Sequence, residues 1–530
     1  MKKGFTLMEL LAVVVILSLL LIMIVPSLLD AINSRRGETF LMNAKLVLQT
    51  INIYEEDLPT FDATDINITN METVLGVPDN DFLSITPEYV NNNIFMTIIG
   101  KDDWQNYKAC GYVYNMEIVG LSDATRCNEL KSESELIIKP NVPELATGMT
   151  PVKYVNGYWI TTNEMDLEWY NYDEKRWANA TTEDGSLWVW IPRYAYRIAS
   201  GYHTSSAGNI YIKFLMGNSN VAADGTTISL TPIYSGSSQT NYVVHPAFTF
   251  GNRELKGIWV AKFEASAGPG SCYDSQSVAN CDVINYSPIS KANAYSWRYI
   301  SPKNAHIVST KMKDPGNIYG FYSGNVDTHV MKNTEWGAVA YLAKSSYGVN
   351  TAEVYINPAN NYMTGCAGTS ASSTSTSGCT NAYNTVNGVK ASTTGSVYGV
   401  YDMSGGAYER TMANFNYVQG TENYPLDLNT INSKYVDIYS AYSNSIFGDA
   451  VYETSLGRTY NCTSWSGSSV GSWYSDQSSM PYDCSSDAPY FIRGGIYSEA
   501  SSSGIFAFTY SDGSSNEYVT FRPVVILTTN

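Results

Sequence analysis

GVYDMSGGAYERTMAN, Gly399 to Asn414, sets the paired glycines 405 and 406 between an acid, Asp402, and a run that starts with Tyr408 and Glu409. Paired glycines permit a tight turn and close approach of neighbouring backbone. Two later stretches share this character: FIRGGIY, Phe491 to Tyr497, with Gly494 and Gly495 after Arg493, and VTFRPVV, Val519 to Val525, with Arg522 before Pro523. Arg493, Arg522, Asp402 and Glu409 are therefore candidates for buried ion pairs that tie a loop-rich fold together. Trp and Tyr side chains are expected to fill its irregular core.

Working upstream, SLWVWIPRYAYRI (186–198) reads as an aromatic strand whose Pro192 suggests an edge or a bulge. LKGIWVAKFEAS (255–266) alternates like a strand, and NTEWGAVAYLA (333–343) has helical spacing, with Asn333 or Thr334 as cap and Glu335 in the first turn. The proline-rich KPNVPELATGMTP (139–151) reads as a linker. Before it, YKACGYVYNMEIV suggests a strand pair, and Phe40, Ala44, Val47, Leu48 and Ile51 recur at helical spacing up to about Tyr54.

The 530 residues, 44% of them apolar, suffice for two or three cores, and 42 Tyr with 40 Gly describe a chain of strands and loops. A formal charge of −17, with no Lys/Arg run to offset it, argues against nucleic acid as a partner. The eight cysteines fall into four couples: Cys110 and Cys127, Cys272 and Cys281, Cys366 and Cys379, Cys462 and Cys484. An even count without CxxC favours disulfides in an oxidising compartment over zinc, with connectivity left open by the sequence. The loop AGTSASSTSTSG between Cys366 and Cys379 reads as a surface insertion. The histidines, His203, His245, His306 and His329, show no paired metal spacing, so no metal site is expected.

At the N-terminus, GFTLMELLAVVVILSLLLIMIVPSLL (4–29) is long enough to cross a membrane but carries Glu9 near its start. An acid there needs a compensating partner. Met1 to Gly4, then Phe5 to Glu9, then an apolar run with Pro26 resemble the leader and N-terminal helix of type IV pilins and pseudopilins. That resemblance implies cleavage after Gly4 by a prepilin peptidase and methylation of Phe5. It also implies that Glu9 pairs with the amino terminus of a neighbouring subunit.

The stretches at 399–409, 493–497 and 521–523 resemble motifs of the formylglycine-generating-enzyme and sulfatase-modifying-factor family, a branch of the C-type lectin fold. Enzymatic members of that family place reactive cysteines just after the RGG strand; this chain has none there, so no enzymatic activity is expected. What remains between the strands is a Tyr/Ser/Asn mixture of the kind paratopes use. Tyr497, Ser498, Glu499, Ser501, Ser502, Phe506, Phe508, Tyr510, Asp512, Asn516 and Tyr518 are the candidate ligand-binding residues. No cofactor is expected; calcium at the Asp/Ser-rich loop YSDGSSNEY is the one alternative, although no ligand series there has the required spacing.

The resulting expectation is an α+β chain. It comprises a leader (1–4), a transmembrane or pilin helix (5–30), a helix extension with a small pilin-like head (31–140), a linker (141–150) and a large loop-rich C-type-lectin-like domain (151–530). The resemblances imply a minor type IV pilin or pseudopilin that displays a ligand-binding module at a filament tip. The alternatives are an anchored exported enzyme of the modifying-factor class and a structural pseudopilin cap of a secretion or competence system. Implied partners are other pilin subunits, the prepilin peptidase, the membrane through one helix, and a surface ligand. The implied location is the bacterial cell membrane, then an extracellular filament or the cell surface.

Overall fold

A computed structural model describes residues 35–528 except 53, 56–60, 79–80, 91–92, 113–115, 124, 133–139, 165, 167, 223–224, 268–280, 418, 421–425, 427, 429, 440–445, 457–470 and 480–487. The chain forms two compact units, Met1–Ile137 and Ile138–Asn530.

In the first unit, helix α1 (35–52) buries Phe40, Ala44, Val47, Leu48 and Ile51 as one stripe. After the short α2 (Met71–Leu75) come β1 (Phe82–Val90), β2 (Asn93–Gly100), β3 (Lys108–Gly111) and β4 (Glu117–Val119), an antiparallel sheet in chain order, and then α3 (Thr125–Ser132). The stripe shares a core with Phe82, Ile85, Met96 and Ile98 of the sheet. A disulfide between Cys110 and Cys127 ties β3 to α3.

The structure corrects the expectation of a transmembrane or pilin helix. Among the described residues no helix is long and apolar enough to cross a membrane. Helix α1 carries Arg35, Arg36, Glu38 and Lys45 and is apolar along one stripe only, the pattern of a helix packed on a globular core. Residues 5–30, with Phe5 and Glu9 among them, and Gly4 before them lie outside the described residues. The membrane as partner, and the single-pass and cell-surface placement that depended on such a helix, lose their basis.

In the second unit the strands are, in chain order, β5 (Thr150–Val155), β6 (Tyr158–Thr161), β7 (Asn179–Thr181), β8 (Leu187–Pro192), β9 (Tyr194–Ile198) and β10 (Ile210–Phe214). The short strands β11 (Tyr234–Ser235), β12 (Ser238–Gln239), β13 (Val243–Val244), β14 (Thr249–Phe250) and β15 (Arg253–Glu254) precede β16 (Gly257–Ala261). Helix α4 (Pro302–Thr310), β17 (Val326–Val330) and helix α5 (Asn333–Ala343) follow, then β18 (Cys366–Ala367), β19 (Asn381–Ala382), β20 (Tyr408–Phe415) and β21 (Asp437–Tyr439). The last four are β22 (Tyr490–Gly494), β23 (Gly504–Ser511), β24 (Val519–Phe521) and β25 (Pro523–Leu527). Seven strands form an antiparallel sheet in the order β17-β25-β16-β8-β7-β5-β6. A mixed sheet runs β21-β20-β22-β23, with β24 parallel to β20. An α+β arrangement of several open antiparallel and mixed sheets thus replaces the expected pilin-plus-lectin-like class, whose pilin helix is absent from the described residues.

Local chemistry explains the main turns of the path. Pro192 ends β8 opposite Gly257, and Arg193 then hands the chain to β9 in a different sheet. The proline thus stands at a strand end, where a missing N–H costs least. The buried Arg193 guanidinium fastens the crossover through Ser219 O, Phe248 O, Asn220 Oδ1 and Glu254. Helix α5 is buried on all sides, so it is a core helix and not an amphipathic one. Its N-cap is Lys332, whose N–H donates to Glu335 at 2.9 Å. Asn333 serves tertiary bonds instead: its Nδ2 donates to Tyr439 and its Oδ1 accepts from Thr411.

Of the four expected ion-pair residues, only two pair with each other. Arg522, the single residue between β24 and β25, holds Glu409 through both carboxylate oxygens and donates to Ala261 O and Tyr401 O, each at 2.8 Å. It therefore joins the mixed sheet to the seven-stranded one. Arg493 donates to carbonyl oxygens of Ala507, Asp449 and Ala450, and Asp402 accepts from Gly365 N and Asn357 Nδ2. A second disulfide joins Cys366 to Cys379 beside the β18–β19 ladder. Cys272, Cys462 and Cys484 lie outside the described residues.

Candidate binding face

The segment between β22 and β24 starts at Gly494 and Gly495, with φ of 85° and 75°, turns through residues 496–503 and returns as β23. It does not present all eleven candidate residues to solvent. Phe506 and Phe508 are 0% and 1% exposed: Phe506 packs on Trp473 and Tyr474, and Phe508 shares a core with Phe415, Tyr439 and Phe491. Neither can touch a ligand, because residues Gly504 to Phe508 of β23 are all buried. Tyr510 and Asp512 are half-buried at the C-terminal end of β23, where Asp512 accepts from Ser514 N and Oγ. Ser498 and Ser501 are exposed, and Ser502 is half-buried in the turn.

The remaining four, Tyr497, Glu499, Asn516 and Tyr518, do converge, and three tyrosines from distant segments join them. Tyr497 meets the ring of Tyr362 edge-on at 5.0 Å, and the Arg298 guanidinium lies over that same Tyr362 ring, 4.0 Å from its centroid. Arg298 Nη1 donates to Glu517 O, and Tyr299 N donates to Asn516 O at 2.9 Å. Tyr408 N donates to Tyr518 O, and the Tyr408 hydroxyl donates to Glu499. Arg298 and Tyr362 are buried; Tyr299, Tyr408 and Tyr497 are half-buried around them, and Tyr518 is 43% exposed. The result is a buried cation–π pair that the Tyr497 ring touches directly, with Tyr299, Tyr408 and Tyr518 brought beside it by backbone pairing.

The arrangement is rigid for identifiable reasons. Tyr299 and Tyr362 hold φ of 57° and 56°, a conformation that bulky residues adopt only when their surroundings impose it. Ser296 clamps this part of the chain: its N–H donates to Tyr362 O and its hydroxyl to Glu264. Glu264 also accepts from Ala407 N, and a Cβ on Gly406, at φ 73°, would sit 2.5 Å from Glu264 Oε1. Only glycine fits there.

Beneath the face, Glu264, Asp402 and Glu409 are buried together. Arg522 is the cation beside Asp402 and Glu409, and Arg298 interacts electrostatically with Glu264. Burial pushes all three carboxyls above their usual range, and repulsion from the other two adds to it for Glu264. At that depth the acids face one another and their guanidinium partners, so they hold the fold. Glu499, nearer the surface, is likewise raised by burial, while the Tyr408 hydroxyl opposes that shift.

Among the described residues no group of three His, Cys, Asp or Glu side chains is gathered to hold a metal ion. Comparison with known proteins finds no matching family model and no matching curated protein. The resemblances to type IV pilins and to the formylglycine-generating-enzyme family are corrected accordingly: neither the leader and apolar run at the N-terminus nor the short glycine, arginine and aromatic motifs bring a family match with them. With them go the readings as a filament-tip minor pilin, an anchored modifying-factor enzyme and a pseudopilin cap. Pilin subunits, the prepilin peptidase and a surface ligand reached from a filament are no longer indicated as partners.

Proposed function

We propose that the second unit is a recognition module that binds a polypeptide partner through the face formed by Tyr299, Tyr408, Tyr497 and Tyr518, and that it acts by binding and not by catalysis. The supporting observation is that backbone pairing brings these tyrosines from separate chain segments together beside the buried Arg298–Tyr362 pair, which the Tyr497 ring touches. Tyrosine offers a large ring and a hydroxyl for two side-chain torsions, so a ring already fixed by its neighbours loses little entropy on binding. The carboxylates of Glu499 and Glu517 lie within the face, and the chain as a whole carries −17. Both favour a partner rich in Lys, Arg and amide donors and disfavour anionic ones.

The test is selection of a displayed random-peptide library on the full chain. Lysine- or arginine-containing peptides should be enriched, and Tyr497→Ala or Tyr518→Ala should each weaken the selected peptides about tenfold, the loss expected of an interfacial tyrosine. Equal binding to wild type and to a variant carrying both Tyr497→Ala and Tyr518→Ala, with unchanged thermal unfolding, would reject this face.

A further inference from the structure

A different region carries charge of the opposite sign. Helix α4 and the 3-10 turn after it present Lys303, Lys311 and Lys313 to a cavity of about 640 Å³, whose opposite wall is Leu426, Thr430, Ile431, Asn432 and Tyr435. A neighbouring cavity of about 410 Å³ is lined by Phe250, Gly251, Asn252, Arg253, Lys434 and Thr528, and it shares Asn432 with the first. The two therefore adjoin. Five cations surround them, in a chain whose acids outnumber its bases by 17.

Among the described residues two carboxylates oppose those five. Asp314 lines the larger cavity, and Asp327, almost fully buried, receives both Lys313 and Lys434 along with the hydroxyl of Tyr435. Lys313 and Lys434 are thus oriented from behind by an acid that a ligand cannot reach. Lys303 and Lys311 are exposed and make no ion pair among the described residues, and Arg253 meets no carboxylate there either, its guanidinium donating to Thr528 O. Among the described residues an excess of positive charge is left over the cavities, and excess charge lining a concave site concentrates counter-ions in it.

The neutral groups narrow the ligand. Asn432 Oδ1 accepts from Lys434 N, and among the described residues its amide NH2 makes no hydrogen bond at the junction. Ile307, Leu426, Ile431 and Tyr435 supply an apolar wall in the larger cavity and Phe250 one in the smaller. His306 packs edge-on against Tyr435 at 5.5 Å, and its Nδ1 is buried without a hydrogen-bond partner among the described residues. Burial, with His329 beside it, holds the imidazole at about 4 against the pull of Asp327, so it is neutral at physiological pH and adds a polar but uncharged group. A bare inorganic ion would leave the apolar walls unused.

We infer that the two adjoining cavities form one site for a small organic anion bearing two phosphate or two sulfate ester groups, with one ester held by Lys303, Lys311 and Lys313 and the other by Arg253 and Lys434. The volumes suit a ligand of that size, since small-molecule sites span about 300–1,000 Å³. The residues involved come from 250–253, 303–314, 426, 430–435 and 528 and include none of the tyrosine face.

Isothermal titration of the full chain with fructose 1,6-bisphosphate, glucose 6-phosphate and a disulfated disaccharide tests the site. The bisphosphate or the disulfate should bind at least tenfold more tightly than the monoester, and the stronger of the two identifies the ester. Lys303→Gln with Lys311→Gln should weaken that ligand at least tenfold, and Arg253→Gln should erase the preference for two esters over one. A charge-matched control, Lys101→Gln with Lys175→Gln, should leave binding unchanged, and equal unfolding temperatures would show that the variants fold. The inference is overturned if neither diester outbinds the monoester, or if the control pair weakens binding as much as the cavity pair.

Discussion

Replacing Arg522 with Met tests whether Asp402 and Glu409, buried under the tyrosine face, are held by a single guanidinium. The side chain is 0% exposed and makes four bonds: two to Glu409, one to Ala261 O and one to Tyr401 O. Met keeps the apolar stem but leaves Glu409 unpaired beside Asp402 and two carbonyls without donors. Removing one partner of a buried pair costs about 3–5 kcal/mol. Domains are stable by roughly 5–15 kcal/mol, so the variant should fold but sit close to its limit.

The cost must depend on pH in one direction. Burial raises the carboxyls of Asp402 and Glu409 past their usual range, up to about 6 and about 7, and Arg522 holds them from going higher. A carboxyl raised in the folded state stabilises fully at pH below its unfolded value and loses that contribution as pH rises through the folded one. Without Arg522 both values rise further, so the variant gives up more stability than wild type between about pH 5 and pH 8. Denaturant unfolding at those two pH values, followed by tryptophan fluorescence, should show a penalty at the higher pH that shrinks at the lower. The double variant Arg522→Met with Glu409→Leu should recover most of the loss, because Glu409 is then no longer stranded as a buried charge. A penalty independent of pH, or below about 1 kcal/mol at the higher pH, would refute the assignment of Arg522 as the common counter-charge.

Two further outcomes separate core from surface. Phe506→Ala should cost about 3–5 kcal/mol, the value for a buried aromatic, whereas Ser498→Ala should leave thermal unfolding unchanged. Cys366→Ser with Cys379→Ser opens a link spanning 13 residues and should cost about 3 kcal/mol on the chain-entropy account, read as an earlier denaturant midpoint with an altered slope.

Much of the local structure is legible in the sequence, and the tertiary use of it is not. The five apolar residues of α1 and the alternation of LKGIWVAKFEAS follow from periodicity, so helix and strand are readable there. Asn333 reads as a cap, but its amide is taken by Tyr439 and Thr411, which only the folded chain brings near. Phe506 and Phe508 read as contact residues because polar neighbours surround them in sequence; the layers covering β23 come from well upstream, from Trp473 and Phe415 among others. Tyr299, Tyr362 and Tyr408 carry no signal of belonging to one face, since backbone pairing between distant segments assembles it. The basic residues of the adjoining cavities are hidden for the same reason: they never form a run.

The position of β25 governs when the second unit can be built. Though last in order, it lies between β17 and β16 and so is an inner strand of the large sheet. A ribosome must therefore finish Leu527 before β17 gains its partner or β16 its second one, a wait on the order of tens of seconds at roughly 5–20 residues per second. Until then β16 is zipped to β8 on one edge alone and β17 has no strand partner, so nascent chains stalled short of Pro523 present both open edges to chaperones and proteases.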